Sequence, residues 1–317
     1  KVAPMHKYYK IESRNVVAAH NEESADIVLM GSPSQEQRSV LIKEYEIPEH
    51  TIASAFDNDE LSRVEYDDDF ATIVFKKPKT YEASDNFQFR VESFGIFLFK
   101  DLVLLLSDAE LPLTDSRRFS KIDSLNTFVL KLLNYSVYHF NEHLKIINRI
   151  NDELEQKLQD TMENKFLLAM FSLNKGLIYY VSALNSNEAL LKKLQMGRSI
   201  KFSENEKELL DDVTIENRQS LQQAEIYANI LSSMMDARAS VINNNVNKLM
   251  NRLNMLTIGL MFPTFVASVF GMNVDFPFGL GSGNPYSFWI VMGAAILSVV
   301  LFSLCWCARK QLPANSA

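Results

Sequence analysis

Asp236 to Asn273, DARASVINNNVNKLMNRLNMLTIGLMFPTFVASVFGMN, reads as one unbroken helix that begins in water, enters lipid and closes on Gly271-Met272-Asn273. Steps of four and three from Asp236 pick out Ser240, Asn243, Asn247, Met250, Asn254, Thr257, Met261, Thr264 and Ser268, a heptad seam that keeps its register from the soluble into the apolar part. A coiled-coil seam or a lipid-facing stripe would carry Leu, Ile or Val. Hydroxyls and amides repeated at this spacing need either water or hydrogen bonds to one another. The seam is therefore a small-residue packing face between membrane helices, or one wall of a wet path.

Outward from this stretch, the membrane signal is local. The 317 residues are 47% apolar and 22% charged, ordinary values for a soluble chain. Yet Leu253 to Phe270 has no charge over 18 positions and Tyr286 to Cys307 none over 22, close to the ~20 residues that cross a ~30 Å hydrocarbon core. Lys248 and Arg252 precede the first span, Arg309 and Lys310 follow the second, and Gly271 to Pro285 contains no basic residue. The positive-inside rule then predicts two spans with both termini in the cytoplasm and the short loop outside. Four basic residues and one acid from Lys248 onward give +3, so with a total of −7 the first 247 residues carry −10. An acidic body is unsuited to nucleic acid or anionic lipid but concentrates cations. Cys305 and Cys307, two apart at the inner end of a span, point to different helix faces and make no disulfide. The first hydrophobic stretch, Ile27–Met30, is too short for a signal peptide.

The N-terminal third alternates strand-like and helical patterns. Tyr8–Ile11, Val16–Ala19 and Ile27–Met30 predict strands; Ser34–Glu46 and Pro48–Asn58 predict helices. Arg63–Lys77, Asn86–Phe94 and Ile96–Ser107 read as further strands, the last two apolar segments hinging on Lys100-Asp101. After Pro112 the spacing becomes helical over Ile122–Met162 and Lys165–Met196. Ser203 with Glu206 then forms a capping-box pattern opening a helix that runs to Phe270, ~100 Å at 1.5 Å per residue. The expected division is an α/β head at 1–115, paired helices at 116–202, a stalk at 203–252, the first span at 253–270, an external loop at 271–285, the second span at 286–307 and a tail at 308–317.

Gly-Met-Asn at the outer end of an apolar helix, with a second span close behind, closely resembles the CorA family of magnesium transporters. The order of head, two helices, very long helix, loop and second span extends the resemblance over nearly the whole chain. It implies an α/β cytosolic head, a long helical stalk and two transmembrane helices in a funnel-shaped homopentameric membrane channel. Gly271, Met272 and Asn273 would be the selectivity filter, the stalk helix would line the pore, and Mg²⁺ would be both cargo and regulator. The family's common acidic continuation is replaced here by Val274-Asp275-Phe276-Pro277, leaving Asp275 alone at the entrance. Relatives that carry zinc often vary the middle residue of the tripeptide, and Met272 is intact. In well-known members an acidic pair on a head helix faces a stalk Asp of the next subunit, and Mg²⁺ between them closes the channel. Spacing places the stalk residue at Asp212, but the head positions fall on Ala53-Ser54, neither acidic. Asp57, Asp59, Glu60 or Asp67-Asp68-Asp69 are the substitutes available.

The seam suits this chemistry. Mg²⁺ dehydrates reluctantly, so a pore can hold the hydrated ion through acceptors such as the Asn273 side-chain carbonyl. Asn243, Asn247, Asn254, Thr257, Thr264 and Ser268 continue the acceptors. Met250, Leu253 and Met261 form apolar constrictions, and Asp236 is the charged residue at the mouth. No nucleotide motif and no nucleophile–base pattern stands out, so transport without ATP or an organic cofactor is expected and an enzyme is not. The alternatives are a Zn²⁺ or other divalent-cation transporter of the same fold, or a membrane-anchored helical scaffold or sensor.

Overall fold

Alternate residues along the central strands are apolar in both directions, so the sheet they form must be covered on both faces. In the computed structural model, which describes residues 6–21, 24–81, 87–109, 111–160, 164–197, 199–272 and 286–311, the strands are β1 (His6–Glu12), β2 (Asn15–Ala18), β3 (Ile27–Met30), β4 (Arg63–Tyr66), β5 (Ala71–Pro78), β6 (Val91–Leu98) and β7 (Val103–Leu106). They make one sheet in the order β2-β1-β3-β7-β6-β5-β4. The β3–β7 pair is parallel, and the other pairs are antiparallel. Ile27, Leu29, Val103 and Leu105 face one core, while Val28, Met30, Leu104 and Leu106 face the other.

Helices α1 (Gln35–Lys43) and α2 (Glu49–Ser54) cover the second face with Leu41 and Ile52. The first face is covered by Leu130, Leu133 and Val137 of α3 (Leu125–Asp160), by Leu190 and Leu194 of α4 (Asn164–Met196), and by Leu210 and Val213 of α5 (Glu204–Phe270). The expected capping box opens α5: Ser203 N–H donates to Glu206 at 2.7 Å and Glu206 N–H donates to Ser203 Oγ. Glu206 also accepts from Ser124 and Thr127, tying the start of α3 to that of α5.

Two strand expectations change. Arg63–Lys77 is two strands, because Asp67-Asp68-Asp69 turns the chain, with Asp67 N–H donating to Phe70 O at 3.0 Å. Consecutive aspartates pair poorly in a ladder and suit a turn. The break expected at Gly95 is absent, and β6 runs straight through it. A Cβ there would sit 2.7 Å from the Cβ of Ala55, so this glycine admits the helix end against the sheet.

By length and apolarity Lys165–Met196 would cross a membrane, as would stretches of α5 and of α6 (Ser287–Gln311). The apolar side chains of α4 are otherwise engaged: Met170, Leu173, Leu177, Tyr180 and Leu184 are buried with Phe140, Leu144 and Leu221. Asn187, fully buried, locks α4 to the sheet by donating to Lys76 O (3.0 Å) and accepting from Lys76 N–H (3.1 Å) and the Ser62 hydroxyl.

The same core holds His139 and His143, one helical turn apart with ring centroids at 4.5 Å. His143 Nδ1 lies 2.6 Å from the Tyr180 hydroxyl. Burial pushes both imidazoles down to about 4, helped at His139 by Lys77 and Arg118 and at His143 by His139. Both are neutral in the folded chain at pH 7. Protonation favours the unfolded chain, so stability is complete above pH 6.5 and falls as pH drops toward 4. The loss should reach about 2 kcal/mol per histidine by pH 5. Thermal unfolding of the solubilised protein from pH 7.5 to 5 should show this slope, and it should be shallower in His143→Gln. An equal slope in that variant would remove the pair as its cause.

The chain divides into two units, Lys1–Met235 and Asp236–Ala317, with α5 continuous through the boundary. Within the second unit α5 packs on α6, with Phe262 and Phe302 rings 5.6 Å apart. Asn273, Asp275 and the rest of the loop to 285, and the tail beyond 311, lie outside the described residues.

Candidate functional site

On α5, every seam position from Asp236 through Ser240, Asn243, Asn247, Met250, Asn254, Thr257, Met261 and Thr264 to Ser268 is exposed. Met255, Gly259, Pro263 and Val266 of the same helix are partly buried and lie on another stripe. That stripe meets α6: a Cβ on Gly259 would be 3.8 Å from Phe302. At 100° per residue the two stripes are roughly 150° apart. The seam is thus not the packing face between the chain's own two membrane helices. Leu253, 49% exposed, stands at the seam's edge beside Met250, 50% exposed.

The seam hydroxyls have a defined polarity. Thr257 Oγ1 donates to Leu253 O at 3.0 Å and Thr264 Oγ1 to Leu260 O at 2.7 Å. Each hydroxyl proton is spent on the preceding turn, which leaves the oxygen lone pairs as acceptors on the exposed face. At the end of the helix Gly271 N–H donates to Ala267 O (3.0 Å) and Ser268 O (3.2 Å), and Met272 N–H to Val269 O (3.3 Å). A Cβ on Gly271 would approach Ala267 O to 3.2 Å, so glycine lets this last turn tighten. Met272 is 58% exposed.

In the first unit, Asp212 is exposed on α5 one turn before Glu216, whose carboxyl is raised by burial and then by the Asp212 charge. Asp211 accepts from Gln195 Nε2 at 2.7 Å. Ala53 and Ser54 end α2, and Ser54 Oγ accepts from Arg63 Nη2 at 3.2 Å. Arg63 also pairs with Glu60 and, at 2.9 Å, with Glu65. Burial lowers the pKa of the nearby Lys76 ammonium, opposed by the charges of Asp57, Asp59 and Glu60, of which Asp57 and Asp59 are exposed. Lys76 Nζ donates to Asn58 O (2.7 Å) and Ser93 Oγ (2.8 Å). Asp67, Asp68 and Asp69 are exposed at the β4–β5 turn. Among the described residues no group of three or more His, Cys, Asp or Glu is arranged to hold a metal.

Residues 24–306 match the profile of the CorA-like Mg²⁺ transporter proteins. The chain belongs to the CorA family. The cobalt/magnesium transport protein CorA of Methanocaldococcus jannaschii is 25% identical over 280 residues, which cover 85% of this chain and 86% of that protein. The complete structure of the CorA magnesium transporter from the same organism superposes with a TM-score of 0.80 at 22% identity, covering 96% of this chain and 97% of the other. The ZntB cytoplasmic domain of Vibrio parahaemolyticus shares the fold of the soluble part, with a TM-score of 0.59 at 10% identity over 76% of this chain and 98% of that domain. As a CorA-family chain it is a membrane protein, and α5 and α6 supply apolar helices long enough to span. The family is one of transporters.

Proposed function

We propose that this CorA-family chain forms a homopentameric, channel-like transporter for Mg²⁺, with Co²⁺ or Ni²⁺ as further cargo, and that the α5 seam lines its pore. One observation carries the reading: from Asn254 to Ser268 the seam lies exposed on the face of α5 turned from α6, and it leads to Gly271-Met272. Exposed to hydrocarbon, Asn254, Thr257, Thr264 and Ser268 would be costly; facing a shared water-filled axis they are solvated. Threonine oxygens whose protons are already donated accept from the waters of a hydrated dication. Asn273 and the backbone at Gly271 make the filter, Asp275 attracts cations at the entrance, and Asp236 concentrates them at the cytosolic mouth. Met250, Leu253 and Met261 provide constrictions that close by dewetting. With both termini cytoplasmic, an inward dication gains about 4.6 kcal/mol per ~100 mV, so the membrane potential drives uptake without ATP or an organic cofactor. The match to the CorA-like Mg²⁺ transporter proteins supports Mg²⁺ as the cargo.

Mg²⁺ flux into liposomes holding the purified protein tests the reading. Potential-dependent uptake is the expected result. Absence of flux at every internal Mg²⁺ concentration would leave a helical scaffold, and preference for Zn²⁺ would leave the related zinc carrier.

Feedback by cytosolic Mg²⁺ is expected to be weak. Asp212 would have to bind Mg²⁺ against a neighbouring head whose Ser54 is held by the Arg63 guanidinium, and a hard dication with one carboxylate is held mainly through its waters. Asp212→Ala should shift the Mg²⁺ concentration that protects against proteolysis by about threefold or less. Complete loss of protection would reveal an intact inter-subunit site built from other carboxylates.

A further inference from the structure

The α5 face turned away from the seam borders a cleft. It lies between α5 and α6 and measures ≈ 980 Å³, at the upper end of small-ligand pockets. Its walls are Met255, Leu260 and Pro263 of α5 and Val299 and Phe302 of α6. Gly259 opens it, because only a hydrogen stands there opposite Phe302. Its rim on the side where α5 enters the bilayer is Lys248 and Arg252. No acid occurs between Asp236 and Asp275, and among the described residues neither base forms an ion pair or hydrogen bond.

We propose that this cleft binds an anionic phospholipid of the cytosolic leaflet, its phosphate on Lys248 and Arg252 and an acyl chain laid past Gly259 against Phe302. The argument is one of paired chemistry at one depth. A soluble anion would use the basic rim and leave the apolar wall bare. A neutral hydrocarbon would fill the wall and leave two unpaired cations at the headgroup level. A phospholipid with a net negative head satisfies both, and basic residues at this level draw anionic lipid at about fivefold each. Because the cleft and the seam occupy different faces of α5, occupancy is separable from ion passage. The proposal rests on α5 and α6 spanning the membrane in the orientation given above, and not on the pore.

Lipid binding to the full-length protein in detergent, followed by native mass spectrometry, tests this without any transport readout. Phosphatidylglycerol should bind saturably, one per chain, at least about tenfold tighter than phosphatidylcholine with the same acyl chains. The Lys248→Gln/Arg252→Gln variant should bind it ~30-fold more weakly. Gly259→Leu should lose it, because the new side chain fills the notch. Equal affinity for the two lipids, undiminished binding to the double variant, or glycerol phosphate binding as tightly as the lipid would each overturn the proposal. Absence of bound lipid together with dissociation of the oligomer in Gly259→Leu would also overturn it, and would assign the cleft to a second copy of the chain.

Discussion

Asn273→Ala is expected to reduce Mg²⁺ uptake at least about 100-fold while the oligomer remains intact. A side-chain carbonyl accepting from a water polarised by a dication makes a charge-assisted hydrogen bond of roughly 1.5–3 kcal/mol, and losing two of them per ion removes about 3 kcal/mol or more, two decades in rate. The helix before it ends through bonds that the substitution does not touch, Gly271 N–H to Ala267 O and Met272 N–H to Val269 O. Uptake into proteoliposomes and the elution volume of the same preparation read the two halves of the expectation. Normal uptake by an intact oligomer would remove Asn273 from the filter and leave ion selection to the polar seam below it.

The opposite change is expected one helical stretch lower. Met250→Ser or Leu253→Ser should raise basal Mg²⁺ flux under closing conditions by about tenfold or more, because a hydroxyl in place of a thioether or isobutyl group wets the constriction and removes the barrier to a water column. Met250 and Leu253 are half exposed in the chain and are not engaged with α6. Substitution there removes little intrachain packing and should leave the fold stable. Unchanged basal flux in both variants would assign these residues to helix packing between copies.

Much of the candidate site was legible because it depends on one periodicity. A heptad of polar and small residues is a property of a single helix, and the geometry of α5 carries it without outside help. Two C-terminal helices apolar and long enough to span were legible from local hydropathy alone. The β6–β7 hairpin at Lys100-Asp101 was equally local, with Leu98 pairing Val103.

What the sequence by itself determined, then, is everything set by neighbours a turn or a strand-step apart: the seam's register, the two apolar helices and the capping box at Ser203. What only the tertiary structure decided is which surface each pattern meets. Lys165–Met196 is as apolar as a span, yet its Leu and Tyr side chains find Phe140, Leu144 and Leu221 and are spent on a soluble core. Gly95 looked like a break and is a contact point for Ala55. Gly259 and Phe302 turn one side of α5 toward α6 and leave the seam on the other. In each case the outcome rests on contacts between residues far apart in the chain, whose pairing follows from which burial satisfies the most apolar surface and the most polar groups at once, a choice no local spacing encodes.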